Sequence, residues 1–278
     1  GYSAGEARPQ PAGSMPDAVQ TSRLDQLERT IRALAGELPA FGAKALRVDA
    51  KSGPRAPSFP PVRATDARLA LLPLDIESDR DEGDTYTFEP VAGDRAVRAR
   101  WSLPQVVWRG PLVAAVAREF KVGERTRGRV STRLDAGSSL LRFAIEGVNL
   151  QGNHRLRVRF RPSVPVAKGA ALESVADMPL GPAARPYEWH DPKAFPREWP
   201  VATAPVHRYV SVAAAGHTVF VRGSCEYELG ADGALAITVF RAVGDLSRGD
   251  LRARPGHAAW PLATPLAQEL GHFRLELA

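Results

Sequence analysis

His154-Arg155-Leu156-Arg157-Val158-Arg159-Phe160-Arg161 alternates without a break. Leu156, Val158 and Phe160 point to one side, and Arg155, Arg157, Arg159 and Arg161 to the other. That is the two-residue period of a strand, not the 3.6-residue period of a helix. Just before it, Leu140–Val148 sets Leu141, Phe143 and Ile145 against Arg142 and Glu146. Asn149-Leu150-Gln151-Gly152-Asn153 joins the two, and its Asn and Gly residues suit turn conformations. The pair therefore reads as a β-hairpin.

Working outward, short runs of the same period recur from Leu69 onward. Strands are expected at Val97–Trp101, Val113–Val122, Arg127–Leu134, His207–Ala213, Thr218–Arg222, Leu235–Arg241 and Phe273–Leu277. Many strands and abundant Gly/Pro turns imply a mainly β fold, an antiparallel β-sandwich. Residues 179–205 interrupt the pattern with seven prolines, interleaved with Tyr187, Trp189, Phe195 and Trp199. They read as an ordered loop pinned onto the sheets. One short N-terminal helix is expected at residues 21–35, where Leu24, Leu27, Ile31 and Leu34 recur at helical spacing. The chain thus divides into a disordered lead (1–20), a short helix with a Pro-rich connection (21–65), and a β region (66–278).

Composition narrows the function classes. No run approaches the roughly 18 apolar residues of a membrane span, so no membrane partner is expected. The start lacks the apolar stretch of a secretory signal; it begins with Gly, which fits an excised piece or a processed terminus. A single cysteine, Cys225, excludes an intramolecular disulfide and a Cys-based zinc site, which accords with a cytoplasmic location. The net charge of +6 is Arg-rich but not gathered into one basic segment, so nucleic acid is not an expected partner.

Familiar catalytic patterns fail on context. Gly1-Tyr2-Ser3-Ala4-Gly5 has the letters of a nucleophile elbow but neither the preceding strand nor the following helix. None of the six histidines lies in a His-x-x-x-His or His-x-Asp pair, and they read as surface or hydrogen-bonded imidazoles. The densest carboxylate cluster is Asp79, Asp81, Glu82 and Asp84. Like charges this close are solvated, bind calcium or are held by arginines, and a polar turn is the default reading.

Several stretches together resemble the C-terminal region of family 38 glycoside hydrolases, the α-mannosidases and related mannosylglycerate-type hydrolases. They are Asp81-Glu82-Gly83-Asp84-Thr85-Tyr86-Thr87-Phe88-Glu89-Pro90, similar to an acidic Gly-Asp-x-Tyr-x-Phe-x-Pro segment; Asn149–Phe160, similar to Asn-x(4)-His-Arg-Leu-Arg-Val-x-Phe; Glu226-Tyr227-Glu228; Thr238–Gly256 with Gln268 and His272-Phe273 following; and Leu38-Pro39-Ala40-Phe41-Gly42. Departures fall at Gly223-Ser224-Cys225, where Gly-Leu is usual, and at Asn153, where Asp is common.

The resemblance implies a supersandwich-like β region packed against a catalytic domain that lies earlier in the parent protein. That domain would hold zinc, the aspartate nucleophile and the acid/base carboxylate, so no catalytic or metal residue and no cofactor is assigned in this chain. It also implies that a tyrosine of this region reaches the sugar, making Tyr86 the candidate substrate-binding residue beside Asp84, which orients it or caps the turn. The competing reading for Tyr86 is a core position at a strand start. Expected partners are the catalytic domain of the parent glycosidase and a mannosyl oligosaccharide or mannosylated small molecule. The alternative function is a non-catalytic carbohydrate-binding module using Trp101, Trp108, Trp189, Trp199 and Trp260. A third reading is a purely structural or polyanion-binding β protein. For Arg155, Arg157 and Arg159 the favoured role is docking or intersheet ion pairing.

Overall fold

The computed structural model describes residues 61–278 apart from residues 189, 192, 193 and 224. The expected lead, the helix at 21–35, the Leu38–Gly42 element, the Gly1–Gly5 stretch and most of the Pro-rich connection lie outside the described residues. In chain order, a helical turn α1 (Ala67–Ala70) precedes β1 (Leu74–Arg80), β2 (Val97–Arg98), β3 (Arg100–Trp101), β4 (Gln105–Arg109), β5 (Val113–Val122), β6 (Thr126–Asp135), β7 (Leu141–Asn149) and β8 (His154–Phe160). Then follow β9 (Glu173–Met178), β10 (Gly181–Pro186), β11 (Thr203–Val206), β12 (Tyr209–Val212), β13 (His217–Phe220), β14 (Cys225–Leu229), β15 (Leu235–Ala242) and β16 (Gly271–Leu277).

Among the described residues all strand pairs are antiparallel and form three sheets. The first runs β11-β14-β15-β8-β1-β2, the second β10-β9-β12-β13, and the third β16-β7-β6-β5-β3 with β4 also on β5. One core cluster draws Ile76, Leu156 and Ile237 from the first sheet, Val210 and Val219 from the second, and Phe120, Val130 and Ile145 from the third. The β-sandwich reading of the alternating runs therefore holds.

The hairpin reading of 141–160 does not. β7 pairs with β6 and β16, and β8 pairs with β1 and β15. Residues 149–153 are an arch between sheets, and the two apolar faces meet across the core, Phe143 against Phe160 at 5.7 Å between ring centroids. Alternation identifies a strand but not its partner. Here β1 supplies what the arginines need: Glu77 lies opposite Arg157, and Asp79 opposite Arg155.

The arch is fastened by a buried polar chain. His154 Nδ1 lies 2.8 Å from Ser78 Oγ, and Nε2 lies 3.0 Å from Asn149 Oδ1. Asn149 Nδ2 donates to the carbonyls of Gln151 and Glu269, so its Oδ1 must be the acceptor. His154 therefore carries its proton on Nε2, and Nδ1 accepts from the Ser78 hydroxyl. His154 and Asn149 are both fully buried.

The Pro-rich stretch is only in part a loop. Pro182 and Pro186 fall within β10, and Pro205 within β11. Both strands are sheet edges, where a missing N–H breaks no ladder.

Candidate functional site: an arginine-clamped loop

β1 runs out into residues 81–90, which fold back on themselves. The Glu82 N–H donates to the Glu89 carbonyl, and the Asp84 N–H to the Thr87 carbonyl. Gly83 is required at the bend, because a Cβ there would sit 1.9 Å from the Thr87 carbonyl oxygen. A second segment, residues 241–256, lies against this loop and holds each of its buried acids with an arginine.

Asp81 Oδ1 accepts from the N–H groups of Gly83 and Glu89 at 2.8 and 3.1 Å. Its Oδ2 accepts from Arg241 Nε at 2.9 Å. Arg241 also donates to the carbonyls of Asp84 and Thr87. Asp84 Oδ1 accepts from the N–H groups of Tyr86 and Thr87 at 3.0 and 2.9 Å. Its Oδ2 accepts from the Arg248 N–H at 2.8 Å and from Arg254 Nη2. Arg254 Nε donates to Thr87 Oγ1 at 2.9 Å. Glu89 accepts from Arg252 Nε at 2.9 Å and from the Ala253 N–H at 2.8 Å. Thr85 adds hydrogen bonds to the backbone of Asp245 and Leu246.

Asp81, Asp84 and Glu89 are all buried. A buried charge is tolerable only when paired and hydrogen-bonded throughout, and each of these carboxylates meets that condition. Of the three readings of the acidic cluster, arginine capture is the one realised.

Asp84 is fully enclosed and its four donors are all from the protein, so its carboxylate has no face left for a ligand. Its place is that of an orienting cap, not a substrate contact. Tyr86 is 58% exposed at the tip of this fixed loop, which overturns the core-filling reading. The carboxylate of Asp84 holds its backbone N–H, while the ring stands in solvent.

Behind the loop lies a second charged cluster on the outer face of the first sheet. Arg157 reaches Glu77, Asp79 and Glu228 at 2.8, 2.9 and 2.8 Å. Arg155 lies 3.3 Å from Asp79, and its guanidinium stacks 3.7 Å above the Phe88 ring of the clamped loop. Burial first, then Arg157 beside it, push Arg155 below the usual guanidinium range, while Glu228 and Asp79 pull the other way. These arginines pair within one sheet face rather than between sheets, because β8 is flanked by acid-bearing β1 and lies one strand from β14.

Arg248, Arg252 and Arg254 were not singled out by sequence reasoning. The signal that could have found them is charge matching: Asp81, Asp84 and Glu89 in one ten-residue stretch, and four arginines in Arg241–Arg254. Among the described residues no three His, Cys, Asp or Glu side chains converge as metal ligands. The zinc that the resemblance implies thus has no fitting donor set here, and no chemistry of this site runs through it. Also among the described residues, no helix is long and apolar enough to cross a membrane.

Fold and site together define an antiparallel β-sandwich domain that presents one exposed tyrosine from a loop fixed by buried ion pairs. Residues 75–245 match the glycosyl hydrolases family 38 C-terminal domain; the match covers more than half of the chain, which belongs to that family. Solved structures with a similar fold include an alpha-mannosidase from Enterococcus faecalis V583, with a TM-score of 0.54 and 24% identity, covering 73% of this chain and 25% of that one. Another is a protein in the glycosyl hydrolase family 38 from Enterococcus faecalis, with a TM-score of 0.49 and 23% identity, covering 74% and 26%. The chain therefore spans about a quarter of the length of either. No curated protein matches it.

Proposed function

We propose that this chain is the accessory C-terminal β region of an α-mannosidase-type glycoside hydrolase, supporting and completing a catalytic domain outside the chain. The substrate class would be α-mannosides, as oligosaccharides or mannosylated small molecules. The observation that carries this reading is the family match over residues 75–245, which takes in the clamped loop and Tyr86. In this reading the Tyr86 phenol donates to a sugar hydroxyl while its ring packs on the pyranose face. Asp84 fixes the turn, so the loop backbone needs little ordering when the sugar arrives.

The test is hydrolysis of an aryl α-mannoside by the chain alone and by the chain joined to its catalytic domain. No turnover is expected from the chain alone, with or without added zinc. Clear turnover from the isolated chain would overturn the accessory assignment. A second reading, a carbohydrate-binding module, draws on Trp108 and Trp260, which are 60% and 83% exposed. Replacing both with Ala and measuring mannan retention separates the two, since the accessory reading predicts no change.

A further inference from the structure

The outer face of the third sheet carries a groove of about 930 Å³ that the function above does not use. Strand register orders its walls. Along one side Arg100, Lys121, Arg127, Val148 and His272 lie directly opposite one another across β3, β5, β6, β7 and β16. Along the other, Glu119, Arg129, Glu146 and Arg274 alternate in sign across four strands. Gly128 and Gly147, opposed in register, lie between the two walls. The rings of Phe120 and Phe273 pack where their Cβ atoms would be, each with an atom 2.7 Å away.

The first wall opposes its own fold. Arg100, Lys121 and Arg127 are successive cross-strand neighbours of like charge, an arrangement that destabilises a sheet. The acid paired with this row is Glu124, 3.2 Å from Arg100, and both side chains are largely solvated, so that pair offsets little. Lys121 and Arg127 have no acidic partner within 4 Å among the described residues. By contrast, Arg157, Arg241, Arg252 and Arg254 are each matched by acids in the fold. Here the sheet tolerates three adjacent cations spanning two interstrand steps, roughly 10 Å.

We propose that this groove binds an anionic oligosaccharide, laid across the strands. The basic row takes its carboxylate or sulfate groups. The alternating acids and arginines of the facing wall accept from and donate to its hydroxyls. An acidic peptide or a nucleic acid would use the basic row but has no comparable need of Glu119 and Glu146. The inference stands apart from the role of Tyr86, so the failure of one leaves the other in place.

The experiment titrates the full chain with oligogalacturonate, and with neutral mannan oligomers, polyglutamate and single-stranded DNA as comparisons. Oligogalacturonate is expected to bind best, and added salt to weaken it. The double variant Lys121→Gln/Arg127→Gln is expected to lose about tenfold in affinity and to show a shallower salt dependence. Its melting temperature should be no lower than that of the parent, because a like-charge pair has been removed. Arg95→Gln/Arg197→Gln removes the same charge from exposed positions away from the groove and should bind as the parent does. The proposal fails if oligogalacturonate does not bind, if the second pair loses as much as the first, or if polyglutamate or DNA binds equally well.

Discussion

Replacing His154 with Gln should remove a pH dependence of stability that the parent is expected to have between neutrality and pH 4. Burial pushes the His154 imidazole down from 6.5 to about 4, offset in part by the backbone of Gln151. The sign follows from which state binds the proton. Below pH 6.5 the unfolded chain protonates this histidine while the folded chain does not, so stability falls as pH drops. The loss stops once pH passes the folded value. At about 1.4 kcal/mol per unit the whole difference is on the order of 3 kcal/mol, of which about 2 kcal/mol is lost between pH 7.5 and pH 5. Depressed carboxylates such as Asp177 and Glu276 lose their stabilisation at lower pH, below most of this window. Half-buried His217 is shifted downward too, but it is present in both proteins and cancels in the difference. Urea unfolding of parent and His154→Gln at the two pH values measures the effect, with the variant expected to be the flatter by about 2 kcal/mol. An NMR titration of the parent gives an independent reading should the variant fold poorly. Equal pH dependence in the two proteins, or a His154 midpoint near 6.5, would refute the tautomer and burial argument.

Other outcomes follow from the clamp. Asp84→Asn leaves the Arg254 guanidinium buried without a counter-charge and should destabilise by about 3 kcal/mol or more in thermal or urea melts. Gly83→Ala drives a methyl into the Thr87 carbonyl. Amide exchange across residues 81–90 should accelerate while β8 stays protected. Tyr86→Phe removes a hydroxyl from an exposed ring and should leave the melting temperature unchanged. In the complete enzyme it should lower kcat/KM about tenfold, the worth of one hydrogen bond.

The sequence disclosed strands more readily than partners. Val113–Val122 was legible to the residue, because Phe120 and Val122 alternate with Glu119 and Lys121 at its end and Gly123 follows as a turn. β1 was not, because its outward positions are Asp75, Glu77 and Asp79, and acids beside Asp81 and Glu82 read as a polar turn. Those acids mark a strand only once the arginines opposite them are known, and Asp79 and Arg155 are 76 positions apart. The same distance hid the arch. Asn149 and His154 looked like the ends of a hairpin turn, yet they lie in different sheets and are hydrogen-bonded to each other across them, with Ser78 of His154's own sheet holding the other ring nitrogen. Tyr86 was legible as a candidate from the resemblance alone; that its ring is exposed and its backbone fixed needed the structure.

Arginine serves two opposite ends in this domain, and charge matching tells them apart. Arg241, Arg252 and Arg254 each face a buried carboxylate, so their charge is spent inside the fold and what they give is a fixed loop geometry. Replacing one of them should change stability more than salt response. Lys121 and Arg127 face each other instead, with no acid between them. Their replacement should change salt response and binding with no loss of stability. If both sets of variants behaved alike, losing stability and binding together, the separation of scaffold from groove would be wrong, however well either residue set fits its local geometry.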